Sequence, residues 1–226
     1  MAEQLGLSLP SRTVRGRESF FVAPSNSMAL AMIDGWQGWP LGKLVLTGPE
    51  GSGKTHLAHV WADMVGARII AARDLVEAEI PTLAAAPLVV EDLPDIAGDA
   101  AREGALFHLH NLTLAEGQPL LMTGSEPVAG WHIALPDLRS RLEGTTAVAL
   151  EPPDDTLLQA LLVKLLADRQ LTPKPNLVPY LLGRMDRSFA AAIDLINRLD
   201  AASLARKRPI TRALAAEVLD KGPDAT

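Results

Sequence analysis

Apolar residues along this chain follow two rhythms, and the change from one to the other divides it. Up to about residue 150, short apolar runs alternate with longer stretches of helical periodicity. Lys43-Leu44-Val45-Leu46-Thr47, Ala67-Arg68-Ile69-Ile70-Ala71, Pro87-Leu88-Val89-Val90-Glu91, Pro119-Leu120-Leu121-Met122-Thr123 and Thr145-Thr146-Ala147-Val148-Ala149-Leu150 each have the length and composition of a strand. Thr55 to Met64 and Ala100 to Leu114 have helical patterns, as does Ser27 to Ile33, with Ser25 or Asn26 as its cap. Strands separated by helices predict an α/β fold whose parallel five-stranded sheet is flanked by helices on right-handed crossovers.

The rhythm changes at Glu151-Pro152-Pro153-Asp154-Asp155. No strand-like run follows, only helical patterns at Thr156 to Gln170, Asn176 to Leu182, Ser188 to Leu204 and Thr211 to Leu219. A small all-helical unit is therefore expected at 152–226, after an α/β unit at 20–151. Residues 1–19 form a tail whose Pro10, Ser11, Arg12, Thr13, Arg15 and Gly16 break any periodicity. Within it Gln4-Leu5-Gly6-Leu7-Ser8-Leu9 alternates leucines, so an extended segment carries them on one side. That suits either an apolar groove on a partner or this chain's own sheet.

Chemistry enters between the first strand and the helix after it. Gly48-Pro49-Glu50-Gly51-Ser52-Gly53-Lys54-Thr55 fits the phosphate-cradling pattern G-x-x-x-x-G-K-[ST], and it stands where that pattern works, with a strand running in and a helix leaving through His56. Glycines let successive N–H groups turn inward, and the helix N-terminus adds partial positive charge. Lys54 is expected on the outer phosphates and the Thr55 hydroxyl on Mg²⁺. A hydrolase also needs a carboxylate at the end of a neighbouring strand. Glu91-Asp92 supplies two, although a carboxylate pair also ends many strands with no such role. Thr123-Gly124-Ser125 ends another strand, either as polar groups near a terminal phosphate or as an ordinary turn. Arg139, Arg141 and Arg187 are candidates for stabilising transferred charge, against the usual surface role of arginine.

Composition narrows the classes. With 48% hydrophobic but only 4% aromatic residues, the core should be aliphatic, and Met28, Met32, Met64, Met122 and Met185 are expected to fill it. The absence of cysteine excludes disulfides and thiolate metal sites. His108 and His110, two apart on a helix, point to different faces, and neither they nor His56 and His59 make a metal site by spacing. No apolar run has membrane-spanning length and the start lacks a secretion signal, so a cytoplasmic protein is expected. A net charge of -6 argues against clamping duplex DNA through many phosphates. The clusters Arg12, Arg15, Arg17 and Arg206-Lys207-Arg208 are of a size usual for solvated surface.

The phosphate loop, Glu91-Asp92, Thr123-Gly124-Ser125, Leu138-Arg139-Ser140-Arg141-Leu142 and Met185-Asp186-Arg187-Ser188-Phe189 occur in an order that resembles the AAA+ module of the bacterial replication initiator DnaA. The resemblance spans roughly residues 18–220 and is strongest to the short regulatory members of that family. It implies a P-loop NTPase fold with a helical lid. Gln4, Leu5, Leu7 and Leu9 match the family's motif for the sliding clamp, the β subunit of DNA polymerase III. Arg141 matches the arginine finger that enters a neighbour's nucleotide site, and Arg187 the lid arginine that meets the chain's own nucleotide. Glu91 stands where the family usually has Asp. Val22, in Phe21-Val22-Ala23-Pro24-Ser25-Asn26, matches the segment beside the base.

The ligand implied is ADP or ATP with Mg²⁺ at Thr55 and Glu91, and Gly48, Gly51, Ser52, Gly53, Lys54, Thr55, His56, Thr123 and Arg187 would surround it. The partners implied are the clamp and DnaA, with hydrolysis occurring on DnaA and stimulated by Arg141, and a homodimer is compatible with a finger acting between chains. The sequence given ends with the helical unit, so no helix-turn-helix DNA-binding domain is expected. Two other classes stay open: a self-contained ATPase of helicase-loader type acting on single-stranded DNA, and an adaptor in which nucleotide only stiffens the fold.

Overall fold

The structure is a computed structural model that describes residues 22–171, 173–206 and 208–220. The tail with Gln4, Leu5, Leu7 and Leu9 lies outside the described residues. Helix α1 (Ser27–Asp34) precedes β1 (Lys43–Thr47), α2 (Lys54–Val65), β2 (Arg68–Ala71), α3 (Ile80–Ala84), β3 (Leu88–Glu91), α4 (Ala100–Ala115), β4 (Leu120–Gly124), α5 (Pro136–Glu143) and β5 (Ala147–Ala149). The strands form a five-stranded sheet in the order β2-β3-β4-β1-β5, parallel throughout. That order places β1, which carries the phosphate loop, between β4 and β5, with β3 one strand further.

Because side chains alternate across a strand, β1 and its neighbours serve two cores. Val45, Leu88, Val90, Leu120 and Met122 face one layer, closed by Leu106 and Leu109 of α4 and Leu138 and Leu142 of α5. Leu44, Leu46, Val89, Leu121 and Val148 face the other, closed by α1 and α2 through Leu30, Ile33, Leu57 and Trp61. The buried residues are mostly Leu, Ala, Val and Ile, as expected, and three of the four tryptophans meet in the second layer: Trp39 stacks on buried Trp61 at 5.1 Å between centroids, and Trp36 meets it edge-on at 6.4 Å, while Trp131 is buried in the first. The methionines also divide. Met122 is fully buried, but Met28 and Met64 are exposed, because Ala29, Leu30 and Ile33 take the inner face of α1 and Leu57, Ala58, Trp61 and Ala62 that of α2.

A third core lies within α6 (Asp155–Asp168), α7 (Leu177–Leu182), α8 (Phe189–Arg206) and α9 (Arg212–Asp220), where Leu158, Leu162, Leu181, Leu195, Ile196 and Leu199 are buried together. Local capping explains several starts. Asp99 accepts from Arg102 N at 3.0 Å ahead of α4, and Asp154 from Leu157 N at 2.7 Å ahead of α6, satisfying donors that have no partner within the helix. The final sheet strand is shorter than its apolar run: Thr145 N bonds back to Leu142 O and closes α5 before the ladder begins.

Candidate functional site

The loop from Gly48 to Thr55 depends on glycine at two kinds of position. Gly48, Gly51 and Gly53 have φ of 143°, 76° and 100°, a region other residues seldom enter. At Gly48 a Cβ would also lie 2.2 Å from Leu150 O, and at Gly51 it would lie 2.5 Å from the Cβ of Ser188. The second approach comes from the helical unit. Phe189 N reaches Gly51 O at 3.4 Å, the Phe189 ring packs against Gly53, and Ser188 Oγ caps α8 by accepting from Ala191 N at 3.0 Å. The lid helix therefore begins directly on the phosphate loop.

Lys54, the first residue of α2, folds over this loop, and its Nζ donates to Gly48 O at 2.6 Å and to Pro49 O at 2.9 Å. Burial lowers its pKa below the usual ammonium value, while the carboxylates of Asp92, Glu50 and Glu91 act in the opposite direction and favour the charged form. Glu91 and Asp92 sit at the carboxyl end of β3. Asp92 takes a left-handed backbone, φ 57° and ψ 52°, and its N–H donates to the Thr123 hydroxyl at the end of β4, 3.0 Å away. So Thr123, which is buried, holds the backbone of Asp92 at the end of β3. Two buried polar atoms here have no hydrogen-bond partner among the described residues: Ser52 Oγ in the loop and Glu91 Oε1. Such orphans are costly unless a ligand or water meets them. Thr55 is exposed and His56 half-buried at the start of α2, and Ser125 is exposed beyond β4.

Not every predicted residue joins this cluster. Val22 lies in the segment leading to α1 and is 73% exposed. Arg187, just before α8, pairs with Asp155 in the first turn of α6, at 3.1 Å and 3.2 Å to its two oxygens. Arg141, on the exposed side of α5, is near the other end of β1: its charge acts on Lys43, the first residue of that strand, and on His110. A strand of this length spans about 13 Å, so Arg141 and the phosphate loop occupy opposite ends of the sheet. Its guanidinium lies 5.7 Å from the centroid of the Phe107 ring.

Outside the loop cluster are groups to which sequence patterns assigned no role. Lys43 is 1% exposed, donates to His110 O at 2.5 Å and lies 3.0 Å from His110 Nδ1. Burial, with Arg141 nearby, lowers Lys43 to about 8, and burial with both cations lowers His110 to about 4. The two faces expected for the α4 histidines are seen, with exposed His108 3.2 Å from Glu77 and His110 buried. Glu103, also buried, accepts from Gly98 N at 2.7 Å, Ala134 N at 3.0 Å and Leu135 N at 2.7 Å. Burial opposes its charge, but these three backbone donors prevail and hold its pKa below the ordinary carboxylate value. A lone charged residue opening an apolar run was the only available signal for Lys43, and Glu103, next to Arg102, offered none.

Among the described residues no three His, Cys, Asp or Glu side chains form a metal cluster, and no helix is long and apolar enough to cross a membrane.

Comparison with known proteins places this geometry. Residues 154–219 match the family model described as Hda, lid domain. The fold is similar to domain III of the replication initiation protein DnaA from Thermotoga maritima, with a TM-score of 0.81 at 17% identity over 96% of this chain and 100% of that one. It is also similar to AMPPCP-bound DnaA from Aquifex aeolicus, with a TM-score of 0.70 at 18% identity over 84% of this chain and 67% of that one. The branch migration motor RuvB of Thermotoga maritima shares the architecture at a TM-score of 0.63 and 18% identity, covering 81% of this chain and 64% of that one. A solved DNA replication initiation factor is similar at a TM-score of 0.71 and 18% identity, over 84% of this chain and 66% of that one.

Proposed function

Because its lid matches the Hda family and the whole folds as a DnaA-type AAA+ module, the chain is an Hda-like, DnaA-related AAA+ protein, and on that premise we propose that it is a nucleotide-binding regulator of replication initiation. In this reading residues 20–151 hold ADP or ATP and 152–226 act as its lid. The tail residues Gln4, Leu5, Leu7 and Leu9 attach the protein to the DNA-loaded sliding clamp in the cytoplasm. Arg141 then enters the nucleotide site of an ATP-bound DnaA subunit and stimulates hydrolysis there, which represses re-initiation. A homodimer would use the same face.

The observation that carries this reading is the position of Arg141. It is exposed and lies at the end of β1 remote from the chain's own phosphate loop, so its charge is available to a neighbour rather than to its own nucleotide. The other end is fitted to an anion. Loop N–H groups, the α2 N-terminus and Lys54 would hold the phosphates, with Gly48, Gly51, Ser52, Gly53, Thr55 and His56 shaping the contact. Val22 would lie beside the base, and Arg187 would meet the phosphates by exchanging Asp155 for them. Ser52 Oγ and Glu91 Oε1, buried without partners, fit such a ligand and a hard cation, and Thr55 with Glu91 would hold Mg²⁺. When bound, the ion supplies neutralisation of phosphate charge. Thr123 keeps Asp92 oriented for water or metal-bound contacts.

Expected for Arg141→Ala is retention of nucleotide and clamp binding with loss of stimulated hydrolysis, since an arginine finger contributes roughly 10³ to 10⁵ in rate. Single-turnover hydrolysis of ATP on DnaA, with clamp loaded on DNA, measures this. Unchanged stimulation would remove the reading. One observation favours a second reading, an ATPase of helicase-loader type: the carboxylates of Glu91 and Asp92 act on Lys54, and Thr123 bonds Asp92, all within one chain. That reading requires turnover by the purified protein and salt-sensitive binding to single strands.

A further inference from the structure

We infer that one face of α4, carrying Glu103 and Phe107, is a platform that positions Arg141 for its neighbour, with Phe107 as the residue on which the guanidinium rests. The inference builds on the proposed role of Arg141. Glu103, Phe107 and His110 stand at i, i+4 and i+7 and therefore share a face of the helix. Each touches something that bears on the finger. Glu103 uses its buried carboxylate to hold Ala134 N and Leu135 N, and Leu135 is the residue from which α5 starts. Its third bond, to Gly98 N, ties the same carboxylate to the turn that begins α4. The start of the finger helix is thus fixed to α4 by a charge-assisted bond on each of two consecutive amides.

Phe107 acts one turn further along. Leu138 and Leu142 bury the inner side of α5, which leaves Arg141 on the side that faces the Phe107 ring, at 5.7 Å from guanidinium carbon to centroid. This is within the range at which a cation is attracted to a ring face. Phe107 is itself packed against the core, so the ring is a fixed surface rather than a second mobile side chain. Deeper in, Lys43 is held by His110, and its charge repels Arg141 and disfavours any inward turn of the guanidinium. An arginine has many rotamers, and a ring below with a cation behind restricts them to those pointing outward. Part of the ordering entropy is then met before a partner arrives.

The test uses the full chain and two readouts. In the protein alone, the side-chain Nε–H resonance of Arg141 is expected to show a ring-current shift that disappears in Phe107→Leu and returns in Phe107→Tyr. In single-turnover assays with DnaA and DNA-loaded clamp, Phe107→Leu is expected to lower the maximal stimulated rate by about three- to tenfold without changing the half-saturating concentration, and Phe107→Tyr is expected to restore it. Glu103→Gln, which removes the charge but keeps the shape, is expected to lower the same maximal rate. Melting temperature and nucleotide affinity, followed in parallel, separate these effects from misfolding. A shift unaltered in Phe107→Leu overturns the contact, whatever Arg141 does. A lost shift with a wild-type rate, while Arg141→Ala abolishes stimulation, overturns the positioning role and leaves the finger reading intact. Unchanged stimulation in Arg141→Ala defeats both together.

Discussion

Two lysines at the two ends of one strand show how the same side chain is put to opposite uses. Lys54 follows β1 through the loop and Lys43 opens it, and both are buried. Both donate to backbone carbonyls, Lys54 to Gly48 and Pro49 and Lys43 to His110. Their electrostatic surroundings differ in sign. Asp92, Glu50 and Glu91 face Lys54 and help keep it charged, whereas Arg141 faces Lys43 and makes its charge less favourable. A cation surrounded by carboxylates and carbonyls can be offered to a phosphate. A cation confined beside a second cation instead pushes that second one outward. The difference teaches that burial alone does not mark a binding lysine, and that the sign of the neighbours does.

Removing Lys54 should break the comparison most sharply. Lys54→Ala is expected to weaken ADP or ATP by about 10- to 100-fold, the value of one or two charge-assisted bonds, without loss of fold. Calorimetric titration measures it, and equal affinity in variant and wild type would mean that the loop is not the phosphate cradle.

The opposite end should reveal itself through pH. His110 titrates at about 4 in the fold against 6.5 when unfolded, so between those values the unfolded chain binds more protons and stability falls as pH falls. Above pH 6.5 this contribution is flat. The loss should reach about 3 kcal/mol near pH 4, and His110→Phe should remove most of that slope in denaturant titrations. A wild-type slope in the variant would assign the acid sensitivity elsewhere.

Lys43 should give a signal of the same sign in a more alkaline window. Its folded value of about 8 against 10.5 means that below pH 8 both states are protonated and the burial penalty is present in full. Between 8 and 10.5 the unfolded chain holds more protons, so stability rises with pH through that window. Lys43→Met should flatten this rise while changing stability near pH 7 by only about 1 kcal/mol, since exchanging a buried charge for an apolar chain of similar length is often close to neutral. Thermal melts from pH 7 to 10 measure both quantities.

Much of the fold and the anion end could be read directly from residue order. The five strand-length runs, the helical patterns beyond Asp154 and the glycine-rich loop are local features, set by side-chain alternation and by φ angles that only glycine adopts freely. Boundaries shifted by a residue or two where caps intervened, as when Thr145 closed α5 instead of opening β5. Met28 and Met64 were misplaced because periodicity finds an apolar face without saying which apolar residue at its margin is left in water. Phe189 against Gly53 and Asp155 beside Arg187 join segments far apart in sequence, and no local pattern encodes such contacts.

What the residues alone determined is therefore the chemistry available at each position: a phosphate-shaped loop, a lysine, two carboxylates and arginines capable of meeting transferred charge. What only the tertiary structure decided is which of these act together. The order β2-β3-β4-β1-β5 places Thr123 beside Asp92 and leaves Arg141 at the far end of β1, and the α4 face of Glu103, Phe107 and His110 gives that arginine its footing. The reason is physical. Backbone preference is local and survives in the sequence, whereas the sign and distance of a neighbouring charge are set only when the strands have taken their places in the sheet.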